Sequence, residues 1–255
     1  MNLLERRNVK ELLEEKGTSL VVSLVITSAT LLIVVVSSSF FATNLLEVQV
    51  QNSEFEQAKT AMLLLDRVIT DVSLRLGAAS SIPFNQRSSG VGVYKGETMN
   101  ITILSGSSVL LNKSISSYVI KYRGGRMASV AETNLRDPGG LIIKDRFKSL
   151  GRIQVKVEEG AWITLDYNRV RIAVNENLKV MDIYLIRLEP GSFGSSGSIM
   201  IRVQNKDVKV EPILLGCTID NLRVLVTVGD LMEYQDYSKV STIRIVEVVI
   251  VVSIT

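Results

Sequence analysis

From Gly17 through Leu46 the chain carries no Asp, Glu, Lys or Arg. Within that block, Thr18 to Ala42 reads TSLVVSLVITSATLLIVVVSSSFFA, 25 residues; a helix needs about 20 apolar residues to cross a hydrocarbon core of roughly 30 Å. A secretory signal has an apolar region of about 7 to 15 residues followed by a cleavage site, so this length favours a helix that the chain retains. A helix apolar all round is either a membrane span or deeply buried, and we read this one as a span over 18–46. Arg6, Arg7, Lys10 and Lys16 precede it, whereas the first basic residue after it is Lys59. Basic residues stay on the cytoplasmic side. The expected partner is therefore a membrane, with residues 1–17 cytoplasmic and the rest outside.

The remaining charge excludes some functions. The tail balances Glu5, Glu11, Glu14 and Glu15 against its four basic residues, so the net charge of +3 is spread over the chain beyond residue 46. Nucleic-acid binding normally shows as a clustered basic face, and none is expected here. With no histidine and one cysteine, Cys217, the chain lacks the commonest general base and cannot close an internal disulfide or build a thiolate metal site. No enzyme activity, cofactor or metal is expected.

The junction ahead of the span is more specific. Glu14, Glu15 and Lys16 are followed by the small residue Gly17 and at once by the apolar helix. This resembles the class III signal of archaeal type IV pilins and archaellins, in which a membrane peptidase cuts between a small residue and the hydrophobic helix. The resemblance implies processing at Lys16, Gly17 and Thr18, with Thr18 as the new N-terminus and the helix kept. It also implies a prepilin peptidase and copies of this chain or related subunits as partners. Bacterial pilins usually carry Glu five residues into the mature chain; Val22 stands there, so the match is to the archaeal pattern. The alternative is an uncut anchor whose charged residues merely flank a bitopic span.

The helical pattern continues past the span. Phe55, Ala58, Met62, Leu65, Ile69, Val72 and Leu76 recur at spacings of three and four, an apolar seam, and Leu63, Leu64, Val68 and Leu74 widen it. Gly77 suits the residue that ends a helix. An amphipathic helix over 47–77 is expected, packed on a globular domain. A helix apolar in its first half and amphipathic in its second also resembles the pilin-like subunits, whose apolar halves bundle into a filament core.

Beyond Pro83 short β-branched runs alternate with Gly, Ser, Asn and Asp clusters. The clearest are 91–95, 99–104, 117–122, 152–157, 161–167, 169–175, 179–188, 199–204, 222–228 and 240–254. With no helices between them, they predict an α+β fold, a long N-terminal helix followed by an antiparallel β-sandwich-like domain over 78–255. Sharp turns are expected at Glu158-Glu159-Gly160 and at Asp166-Tyr167-Asn168-Arg169, and a mobile surface loop over Glu189 to Ser198. The last strand contains VVIVV at 248–252, apolar on both faces. It is either a central strand covered on both sides or an edge that pairs with a neighbouring subunit. Two Asn-X-Ser/Thr triplets, at Asn100 and Asn112, offer N-glycosylation sites.

Overall fold

A computed structural model of the chain describes residues 3–84, 90–126, 128, 130–194 and 199–255, with side chains from residue 21 onward. The fold is α+β. Among the described residues helix α1 (Leu3–Ser73) is followed by thirteen strands, and the chain divides into two compact units, 1–50 and 51–255.

In the second unit the expected seam is realised: Phe55, Ala58, Met62, Leu65, Ile69 and Val72 are all buried. The helix stops at Ser73, four residues before the expected boundary at 77. Its last turn tightens into i to i−3 bonds from Leu74 and Arg75 to the carbonyls of Asp71 and Val72, and Gly77 takes a positive φ of 77° in the turn that follows. Leu64, Leu74 and Leu76 are exposed, so they do not belong to the buried stripe.

The strands form two sheets. The six-stranded sheet has the order β1 (Ala79–Phe84), β10 (Ile199–Ile219), β13 (Val240–Ile254), β9 (Val180–Phe193), β8 (Val170–Asn175) and β5 (Ile142–Ile143). The seven-stranded sheet has β12 (Leu231–Tyr237), β11 (Leu222–Val228), β2 (Gly90–Ser105), β3 (Ser108–Arg123), β7 (Ala161–Asp166), β6 (Arg152–Val157) and β4 (Thr133–Arg136). Pairing is mostly antiparallel, but β13 runs parallel to β9 and β5 parallel to β8. The C-terminal strand has inserted between β9 and β10, which explains VVIVV: Val248, Val249, Ile250 and Val252 are buried in a central strand, not on an edge.

Among the described residues there are two hydrophobic cores, and the long strands serve both. Successive side chains of a strand point to opposite faces. Along β9, Met181, Ile183 and Leu185 enter one core while Ile186 and Leu188 enter the other; along β13, Ile243 and Ile245 part in the same way from Val248, Ile250 and Val252. The register between these strands is unbroken from Thr242 to Val252, so the cores lie on opposite faces of the six-stranded sheet. In the other sheet a bulge does the matching: Gly96 and Glu97 of β2 stand against Ser117 of β3 alone. A bulge adds one residue and so shifts the alternation. Val91 and Val93 thereby face the helix-containing core while Met99, Ile101 and Ile103 face the second.

Two expected connections differ. Glu158-Glu159-Gly160 closes the β6–β7 hairpin, with φ of 48° and 128° at Glu159 and Gly160. Asp166 to Arg169, by contrast, carries the chain from one sheet into the other, and Tyr167, Asn168 and Arg169 are buried. The segment Glu189 to Phe193, expected as part of a loop, belongs to β9, where Glu189 and Pro190 pair with Val251 and Val252. The apolar flank of β13 offers a ready partner to this Gly- and Pro-containing stretch, a tertiary contact that overrides its local preference. Residues 195–198 of that expected loop lie outside the described residues.

Candidate functional site

The apolar half of α1 is long and apolar enough to cross a membrane, with a mean hydropathy of 2.4 in its best window and none of that window buried within the chain. Every large apolar side chain from Val21 to Leu46 is at least 55% exposed. Five of its polar side chains are satisfied within the helix. The hydroxyls of Thr27, Ser28, Thr30, Ser39 and Thr43 each donate to the carbonyl four residues earlier, at 2.8–2.9 Å. In lipid each backbone and hydroxyl group must find its partner internally, and this back-bonding is how Ser and Thr do so in a helix. The surface left outward is hydrocarbon with small residues between, which is what lets helices approach closely.

The amphipathic half is held by a buried polar latch at Asp66, which is fully buried within the seam. Its carboxyl Oδ1 accepts from the hydroxyls of Tyr167 (2.6 Å) and Ser149 (2.7 Å), and Oδ2 accepts from Arg136. A side chain at Gly151 would put its Cβ 1.9 Å from Oδ1, so only glycine leaves room for the carboxyl group there. Burial first, and then the Asp66 charge, push the Tyr167 phenol well above its ordinary value. It therefore stays protonated and donating. At the end of the helix Asn205, fully buried, donates its side-chain Nδ2 to the carbonyls of Val72 and Ser73 at 3.3 Å, and its main-chain carbonyl accepts from Gly77 N–H at 3.0 Å. The bulge between Asn205 and Asp207 aims it. This satisfies carbonyls that a helix end leaves unpaired.

The backbone through Lys16, Gly17 and Thr18 is helical, and their side chains lie outside the described residues. Asn100 and Asn112 are brought together. In the β2–β3 register Asn100 stands opposite Ser114 and Thr102 opposite Asn112, and the asparagine oxygens accept from Ser114 (2.5 Å) and Thr102 (3.4 Å). Each triplet's asparagine is thus bonded to the other triplet's hydroxyl.

Sequence reasoning missed the latch. A charged residue inside the apolar run Leu63-Leu64-Leu65-Asp66 was its only local sign, since Arg136, Ser149 and Tyr167 are 70 to 101 positions away. No family model matches this chain, and no curated protein or solved structure is detectably similar to it.

Proposed function

We propose that this chain is a structural subunit of a type IV pilus-like or archaellum-like surface filament, inserted in the membrane before assembly and held in the filament by its apolar helix half. The observation that carries this reading is the charge-free, outward apolar surface from Val21 to Leu46, in which five hydroxyls are bonded back to their own helix. Such a surface requires lipid or other apolar helices around it. Apolar helices gain little hydrophobic energy by exchanging lipid for one another, so association rests on close packing, and Ser23, Thr27, Ser28, Ala29 and Thr30 allow it. The Lys16-Gly17-Thr18 junction supplies the step that frees the helix from its charged leader, through a prepilin peptidase, with the N-terminus cytoplasmic before cleavage.

A second reading keeps the anchor and drops assembly: a bitopic envelope or adhesion protein. The two cores of the 51–255 unit favour it, being a large structure for a repeating subunit. A minor or tip subunit accommodates both. The mass of the N-terminal peptide in protein taken from the host envelope decides between them. A chain beginning at Thr18 is expected; a chain that retains residues 1–17 overturns the filament reading and leaves the anchored one.

A further inference from the structure

The face of β3, β7 and β6 turned away from the helix-containing core carries a grid of polar side chains. The registers place Arg123, Trp162 and Lys156 in one row across the three strands, Lys121, Thr164 and Gln154 in the next, and Asp166 beside Arg152 in the third. The bulge at Gly96 and the β11–β12 turn close one side, leaving a cleft of about 290 Å³ that includes Lys121, Gln154, Trp162 and Thr164. A second hollow of about 800 Å³, lined by Tyr94, Arg123 and Arg126, lies on another side of Trp162. Trp162 is therefore common to both.

Five cations line the first cleft against three carboxylates. Arg169 and Arg152 are held by Asp166, at 2.7 and 3.1 Å, and Lys156 stands 3.7 Å from Glu158, an exposed pair that water and a ligand both reach. Among the described residues neither Lys95 nor Lys121 has an ion-pair partner, and the Lys121 ammonium and Arg123 guanidinium stand 5.9 and 5.3 Å from the Trp162 ring centre. Asn168, which also lines the cleft, is 6% exposed, and its side-chain oxygen has no partner. A buried acceptor of this kind costs free energy until a donor reaches it.

These groups suit one ligand chemistry. Dispersed lysines act as point charges for separate carboxylates, Thr164, Gln154 and Asn168 suit hydroxyls, and an indole beside them suits the apolar face of a sugar ring. A compact phosphate would call for the convergent arginine forks that Asp166 already occupies. A single-stranded nucleic acid would call for successive stacking rings, and here one tryptophan stands with one tyrosine. Arg123 and Lys156, two strands apart, span about 10 Å, the reach of two or three sugar units. We propose that this face binds an acidic polysaccharide, with Lys121, Arg123 and Lys156 on its carboxylates, Thr164 and Gln154 on its hydroxyls, and Trp162 alongside the sugar plane.

Trp162 is the chain's only tryptophan, so its emission reports on the cleft and the hollow that share it. The full chain in polyoxyethylene-detergent micelles is titrated with trigalacturonic acid, with maltotriose and inorganic phosphate as controls. A saturable emission change with the acidic trisaccharide is expected, weakened by salt and by K121Q/K156Q, which is expected to cost about tenfold in affinity per lysine. Both lysines are outside the cores, so an unchanged melting curve confirms that the variant is folded. No saturable change, an equal response to maltotriose or phosphate, or an unaltered affinity in the double variant overturns the proposal. The readout does not depend on N-terminal processing, so either result leaves the filament reading to its own test.

Discussion

The two halves of helix α1 are built from similar residues and come to opposite ends. From Val21 to Leu46 the large apolar side chains all face outward; from Phe55 to Val72 they recur on one face and vanish into the core of the 51–255 unit. The first half has no charge and no titratable side chain, and five of its hydroxyls bond back to their own helix. The second half places a carboxyl group in the middle of its buried face and satisfies it with three side chains from the β-rich part. The difference lies in where hydrophobic free energy is discharged. In the second half it is spent within the chain, at about 25 cal/mol per Å² buried. In the first it is left for an environment that the chain does not itself provide.

The latch is where that contrast breaks most sharply. Asp66→Ala removes the carboxylate acceptor of Tyr167, Ser149 and Arg136 at once, leaving the buried Tyr167 hydroxyl only its longer bond to the residue-66 carbonyl and the Arg136 guanidinium without its ion pair. Breaking a buried pair by deleting one partner costs about 3–5 kcal/mol. We expect a loss near the lower end, because the Arg136 side chain is 40% exposed and recovers water. Urea unfolding of the full chain in detergent measures it, and a loss below about 1 kcal/mol would show that the carboxyl group is incidental to docking.

A matched pair of leucines sharpens the comparison. Leu65→Ala opens a cavity in the core around a fully buried side chain and is expected to cost about 2–5 kcal/mol. Leu32→Ala, the same change where the side chain faces outward, is expected to leave the urea midpoint of the β-rich part within about 0.5 kcal/mol. Under the filament reading its effect belongs instead to the packing of helices against one another. Equal losses from the two would mean that the apolar half contributes to the folded stability of the 51–255 unit.

The same division explains what could be read from sequence. The apolar half, the seam from Phe55 to Val72 and strands such as β6, β11 and β13 announce themselves through local periodicity, which burial then enforces. Strands β1, β4, β5 and β12 do not: ASSIPF carries a proline, TNLR is short and polar, and LMEYQDY lacks β-branched residues. All four lie at sheet edges, where a neighbour and not intrinsic preference sets the conformation. The parallel insertion of β13 beside β9 and the crossing at Asp166 to Arg169 are long-range choices that no local window contains. The grid around Trp162 was half legible. Arg152, Gln154 and Lys156 alternate with Ile153 and Val155, but which strands would lie beside them was not.

Alkaline pH separates the two halves by the smallest effect. Tyr167 is raised well above its ordinary value, burial being the first cause, Tyr184 is raised by burial with its hydroxyl on Ser73, and Tyr237 is pushed up to about 12. A phenol whose folded pKa exceeds its unfolded value of about 10 holds its proton longer in the folded chain. The stability it contributes is therefore complete below pH 10 and is lost as pH rises towards and through the folded value. For fully buried Tyr167 the slope is about 1.4 kcal/mol per pH unit. Urea midpoints should accordingly be steady between pH 8 and about 9.5 and fall beyond pH 10, with Tyr167→Phe lower at neutral pH but less steep above 10. The apolar half has nothing between Gly17 and Leu46 to titrate. Its retention in detergent or membrane should hold over the range in which the β-rich part loses stability. An identical slope in wild type and Tyr167→Phe would mean that the phenol at Asp66 reaches water, and would remove the basis for treating the latch as a dry site.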